Sequence, residues 1–142
     1  MRQMKFASTL VVVLFLMATT TFAAGTKDNA KSENYALLIS NPKHIKVAVM
    51  TAKELFDNPK FKTQHFEIVV CGKAVQALLM NNELQPEIEK GMSLGISFKA
   101  CNISLKKAKI TPDKLIKGVM VVPNGLVRMF ELQNEGYHTI EL

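Results

Sequence analysis

The sequence predicts an α/β fold, a three-layer α/β/α sandwich on a mainly parallel five-stranded sheet. Two observations predict it. Short apolar runs of strand length begin near residues 35, 66, 96, 118 and 137, 19 to 31 residues apart. Each gap between them carries a helical pattern. Strand–helix–strand alternation of this length suits parallel pairing with right-handed crossovers, and it places helices on both faces of the sheet.

The chain has 142 residues and is 48% hydrophobic, enough for one domain whose core needs neither metal nor disulfide. Residues 1–23 have a basic start (Arg2, Lys5), an apolar run from Ala7 to Ala18 and a small-residue exit at Thr21-Phe22-Ala23. That is the three-part form of a secretory signal peptide, and cleavage after Ala23 is expected to deliver a periplasmic protein. The run is too short to span a bilayer comfortably, so no stable membrane anchor is expected after cleavage, an uncleaved anchor being the weaker alternative. Residues 24–33 are polar and turn-rich and are expected to fray as the mature N-terminus, leaving residues 34–142 as the folded domain.

Within that domain, Tyr35 to Ile39 is a continuous apolar strand. Ser40-Asn41-Pro42 ends it and opens a helix, with a capping side chain followed by proline in the first turn. Ile45, Ala48, Val49, Ala52, Leu55 and Phe56 then form one wide apolar face. Phe66 to Val70 is the second strand, followed by Cys71-Gly72, a helical segment from Lys73 to Met80 and a short helix from Gln85 to Leu94. The third strand, Ile96 to Ala100, delivers Cys101 to its carboxyl end, and a helix starts at once at Asn102. Thr111-Pro112-Asp113 opens a further helical turn, and Gly118 to Val122 reads as a buried strand. Pro123-Asn124-Gly125 turns into a last helix, in which Leu126, Met129 and Phe130 are expected to line one side. Gly136 ends that helix, and Tyr137 to Leu142 alternates in hydrophobicity as an edge strand does.

Charge narrows the function. The 18 basic residues outweigh 12 acidic ones for a net charge of +6, which falls to +4 when Arg2 and Lys5 leave with the signal. Only Lys106 to Lys117 is locally dense in lysine, and no aromatic residues interleave with it, so the pattern fits a solvated face and no nucleic-acid partner is expected. The histidines are dispersed: His44 at the start of the first helix, His65 before the second strand, His138 in the last strand. They form no metal-ligand spacing. Neither GxGxxG nor GxxxxGK[ST] occurs, and Ser104 lacks nucleophile-elbow glycines. No cofactor or metal is expected. Cysteine chemistry is what remains.

In a parallel α/β sheet, ligands bind at the carboxyl ends of the strands. Asn41, His44, Cys71, Lys73, Cys101, Asn102 and Asn124 would all follow strands at that one edge. A cysteine opening a helix faces the positive end of the helix dipole, which favours thiolate over thiol. Cys101 is therefore the candidate nucleophile, with His44 as a candidate partner; the plainer alternatives are a small buried side chain and a solvent-facing histidine. If the second and third strands are neighbours, about 4.8 Å apart, Cys71 and Cys101 come within disulfide reach. A bridge closing so long a loop would stabilise by roughly 3–4 kcal/mol in the chain-entropy model. A domain of this size does not require it.

Three stretches carry a resemblance: Gly95-Ile-x-x-x-Ala-Cys101-x-x-Ser104-Leu-x-x-x-x-Ile110, then Val119-x-Val-Val-Pro-x-Gly125, then Leu132-Gln133-x-x-Gly136-Tyr137. Together with Gly72-Lys-Ala-Val75 they resemble the DsrE/DsrF-like family, most closely its exported single-domain branch, over Tyr35 to Leu142. The resemblance implies an α/β/α fold assembled into homo- or hetero-oligomers such as trimers and hexamers. In the sulfur-relay members a cysteine after the third strand accepts sulfane sulfur as a persulfide and passes it on, and Cys101 stands at that position. Cys71 departs from the family pattern.

Three functions follow as expectations. The first is an exported sulfur carrier or sulfurtransferase using Cys101, served by a sulfur donor or acceptor protein. The second is a non-enzymatic oligomeric binding module with structural cysteines. The third is a thiol–disulfide redox protein using Cys71 and Cys101.

Overall fold

The structure is a computed structural model that describes residues 33–142; the expected signal peptide and nearly all of the expected mature N-terminus lie outside the described residues. Five strands form one sheet: β1 (Glu33–Ile39), β2 (Thr63–Val70), β3 (Ile96–Cys101), β4 (Met120–Val122) and β5 (His138–Glu141). They run in the order β4-β3-β2-β1-β5, and every pairing is parallel. The expected α/β architecture with a parallel five-stranded sheet is the observed one.

The helices are α1 (Ile45–Asp57), α2 (Gln85–Ser93), α3 (Asn102–Lys107) and α4 (Gly125–Asn134). The segment expected to be helical after Cys71 is a 3-10 helix, Gly72–Leu78, that buries Ala74, Val75, Ala77 and Leu78. Because strand side chains alternate between faces, β2 divides its residues between two cores. Phe66, Ile68 and Val70 join Ile45, Val49, Ile88, Phe98 and Leu105 in the larger one, under α1, α2 and α3. Val69 joins Ala36, Leu38, Met129 and Leu132 in a smaller one, under α4.

Two expectations are corrected. β4 is three residues long, not the buried strand Gly118 to Val122: Met120 is 49% exposed. It pairs with β3 alone and sits at the sheet edge, where apolar residues have no second neighbour to cover them. The buried side of α4 is Gly125, Met129 and Leu132, whereas Leu126 and Phe130 are 57% and 63% exposed. The spacing 125, 129, 132 is one stripe of a 3.6-residue helix. Leu126 and Phe130 lie on the adjacent stripe, turned away from the sheet.

Among the described residues one charged side chain is buried. Glu67 of β2 is 5% exposed on the α4 face, and Arg128 of α4 meets it with two bonds, Nε to Oε1 at 2.8 Å and Nη2 to Oε2 at 3.2 Å. The same guanidinium reaches Glu131 and Glu135 on its own helix. Hydrogen bonding to Glu67 raises the Arg128 pKa well beyond its usual value, outweighing the burial that lowers it. A fork of this kind fixes orientation as well as charge. Removing one partner strands the other: Arg128→Ala is expected to lower unfolding stability by about 3 kcal/mol, read from urea denaturation monitored by circular dichroism.

Candidate functional site

Cys71 and Cys101 close two neighbouring strands. The β2–β3 register pairs Val70 with Ala100, so the two cysteines follow side by side at the carboxyl edge. Cys101 is the last residue of β3, 4% exposed, and it precedes the first turn of α3. Cys71 is partly exposed and both are free thiols.

The amino end of α4 meets them from above. Asn124 caps this helix, its Oδ1 accepting from the Leu126 N–H at 3.0 Å, and the Gly125 N–H donates to Cys101 Sγ at 3.3 Å. A Cβ built at Gly125 would overlap the Cys71 sulfur and lie 3.2 Å from Cys101 Cβ and 3.1 Å from Val69 Cγ1. Glycine is required here for space, since its backbone is helical and every residue type tolerates that conformation.

Ser104 holds the other side. Its hydroxyl accepts from the Gly72 N–H at 2.8 Å, which leaves its own proton free to donate to Cys101. Gly72 takes the left-handed conformation, φ +55°, that aims this amide.

The two thiols differ in protonation as a result. Burial pushes the Cys101 pKa up, but donors from the Gly125 amide, the Ser104 amide and hydroxyl and the Cys71 thiol outweigh it, leaving the pKa below that of a free cysteine. Cys71 is pushed up to about 12, first by burial, then by the Cys101 charge and the hydrogen bond to it, and by Glu141. The two sulfurs are thus biased in opposite directions, Cys101 toward thiolate and Cys71 toward thiol. A thiolate is the form that attacks sulfur and carbon electrophiles.

The other expected site residues are placed less centrally. His44 caps α1 with its ring Nδ1 buried and without a hydrogen-bond partner; the donors around Cys101 do not include it. Lys73 instead lines a cleft of about 340 Å³ beside Ser104, with Gly72, Gln76 and Lys107. Asn41 caps the 3-10 turn Pro42–His44. A more apolar pocket of about 290 Å³, between Tyr35, Leu55, Phe66 and Ile140, lies around the strands' opposite ends and neither cysteine reaches it. Among the described residues no cluster of three His, Cys, Asp or Glu side chains could hold a metal.

Gly125 and Ser104 are the site residues that residue-type reasoning missed. The available signal was Asn124-Gly125 directly after a strand, a capping residue followed by the side chain that permits closest approach.

Comparison with known proteins gives the family. The model of the DsrE/DsrF-like family matches residues 4–142. The chain belongs to the DsrE/DsrF-like family. Two solved structures share the fold of this DsrE-like chain. One is MTH1491 from Methanobacterium thermoautotrophicum, a protein of unknown function, with a TM-score of 0.70 and 21% identity over 78% of this chain and 100% of that one. The other is BT1422 from Bacteroides thetaiotaomicron, a conserved protein of unknown function, with a TM-score of 0.59 and 18% identity over 78% of this chain and 95% of that one. No curated protein matches the chain.

Alkylation by iodoacetamide should rise with pH through a midpoint below that of a free cysteine and label Cys101, with Cys71 unlabelled until far more alkaline pH. Gly125→Ala and Ser104→Ala should both move that midpoint upward. Gly125→Ala should also cost about 1–3 kcal/mol of stability from overpacking, measured by thermal denaturation.

Proposed function

We propose that this DsrE-like protein is an exported, periplasmic sulfur carrier in which Cys101 holds sulfane sulfur as a persulfide. The observation that carries this reading is the convergence of the Gly125 and Ser104 donors on Cys101 Sγ. They stabilise the charge of a nucleophile that is otherwise buried in an apolar strand end.

The reaction needs no cofactor. The Cys101 thiolate attacks the outer sulfur of a donor persulfide, R–S–SH. The donor's S–S bond breaks, its electron pair leaves on the inner sulfur as the thiolate RS⁻, and Cys101 keeps the persulfide. Reversal onto an acceptor thiolate discharges it. The neighbouring cleft, flanked by Lys73 and Lys107, favours a donor or acceptor carrying negative charge.

Family membership supports a sulfur-relay role, and the basic–apolar–small pattern of residues 1–23 supports export. An oligomer, a trimer or hexamer, is part of the same reading. Leu126 and Phe130 on α4 and Ile140 on β5 are all more than half exposed, a concentration of apolar side chains that a second copy would cover. Phe130→Glu is expected to yield a smaller species by light scattering after gel filtration, with the fold retained by circular dichroism.

Intact mass under non-reducing conditions tests the chemistry. After exposure to a persulfide donor, wild type and Cys71→Ser are expected to gain about 32 Da, one sulfur atom, and Cys101→Ser is expected to gain nothing. Uptake that survives in Cys101→Ser would sink the reading.

A further inference from the structure

We propose that Cys71 is a resolving thiol: once Cys101 carries a sulfane sulfur, Cys71 attacks Cys101 Sγ, closes a Cys71–Cys101 disulfide and releases the outer sulfur as hydrosulfide. The proposal rests on the carrier reading above and adds a second activity to it, the reduction of bound sulfane sulfur to sulfide.

The strand register carries the argument. Cys71 and Cys101 are the next positions after the paired residues Val70 and Ala100 on adjacent parallel strands. Such strands lie about 4.8 Å apart, inside the window of Cα separations, roughly 4.4–6.8 Å, that a disulfide spans without backbone movement. Both side chains lie against Gly125, and the missing Cβ there leaves nothing between α4 and the two sulfurs. The position a Cβ would take at residue 125 falls against both Cys71 Sγ and Cys101 Cβ, which places the Cys71 sulfur beside its target.

The atoms and electrons balance within the protein. In Cys101–S–S⁻ plus Cys71–SH, a bond forms between the two cysteine sulfurs. The bond between Cys101 Sγ and the outer sulfur breaks, and its electron pair leaves on the outer sulfur. That sulfur takes the Cys71 proton and departs as HS⁻. The two cysteines are oxidised by two electrons and the sulfane sulfur is reduced by two, so no external oxidant is needed. Burial keeps the proton on Cys71 until the outgoing sulfur collects it. Hydrosulfide is a weaker base than an alkyl thiolate, and the weaker base leaves faster. This favours attack on the inner sulfur over transfer of the outer one. Return to the dithiol then requires an external dithiol reductant, which exchanges with the bridge through the more exposed Cys71.

The test loads wild type and Cys71→Ser with a small persulfide donor and removes excess reagent by gel filtration. Intact mass and free sulfide, read at a sulfide-selective electrode, are then followed together. The expected result is that the wild-type species heavier by about 32 Da decays to one about 2 Da lighter than the dithiol, with one equivalent of sulfide released. Cys71→Ser should keep its added sulfur and release none. A wild-type persulfide as long-lived as that of Cys71→Ser would overturn the proposal, as would a disulfide that forms without sulfide. Failure of both proteins to gain sulfur is a separate result that removes the carrier reading, and this inference with it.

Discussion

The site depends on one close approach: the amino end of α4 resting on two cysteines with no side chain between them. A Cβ at residue 125 would overlap Cys71 and crowd Cys101 and Val69. That single vacancy lets a backbone amide reach a sulfur that is 4% exposed. A buried thiolate without donors is costly, because desolvation disfavours the charged form. With donors from α4 and α3 it is tolerated, and the chemistry of the pair follows from who donates to whom.

α4 is held in that position by means independent of the cysteines. Arg128 lies three residues beyond Gly125, just under one turn along, and grips Glu67 in the sheet below. Met129 and Leu132 bury the same stripe against Leu38 and Val69. A slip by one residue would bring Leu126 onto the sulfurs and pull the guanidinium off its carboxylate. The ion pair therefore sets the rotation of the helix as well as its contact with the sheet, and it explains why a carboxylate survives in the middle of an apolar strand.

Much of this was legible in the sequence. The alternation of apolar runs with helical patterns predicted the parallel sheet, and a cysteine ending each of two successive strands predicted that Cys71 and Cys101 could meet. What was hidden depends on long-range placement. Periodicity shows that α4 has apolar stripes, but not which of two adjacent ones faces the sheet, so Leu126 and Phe130 are grouped with Met129 although Met129 alone of the three is buried. The run from Gly118 to Val122 looks like a central strand because composition does not reveal an edge. Ser104 was judged as a nucleophile and lacked the glycines for one; its use as a bridge between Gly72 and Cys101 depends on a contact 32 residues away in the chain. Nothing in the sequence singles out Glu67, whose partner Arg128 lies 61 residues on.

The chain order of these parts has a consequence for biogenesis. Both sulfurs come from the first 101 residues, whereas the amide that steadies the charge on Cys101 comes at residue 125 and the strand that secures α4 closes only at residue 141. Until that last segment docks, each cysteine is an ordinary thiol with little tendency to ionise at neutral pH. The environment that lowers the Cys101 pKa is therefore complete only when the topology is. The same order of assembly buries Cys101, at 4% exposure, inside the fold that lowers its pKa.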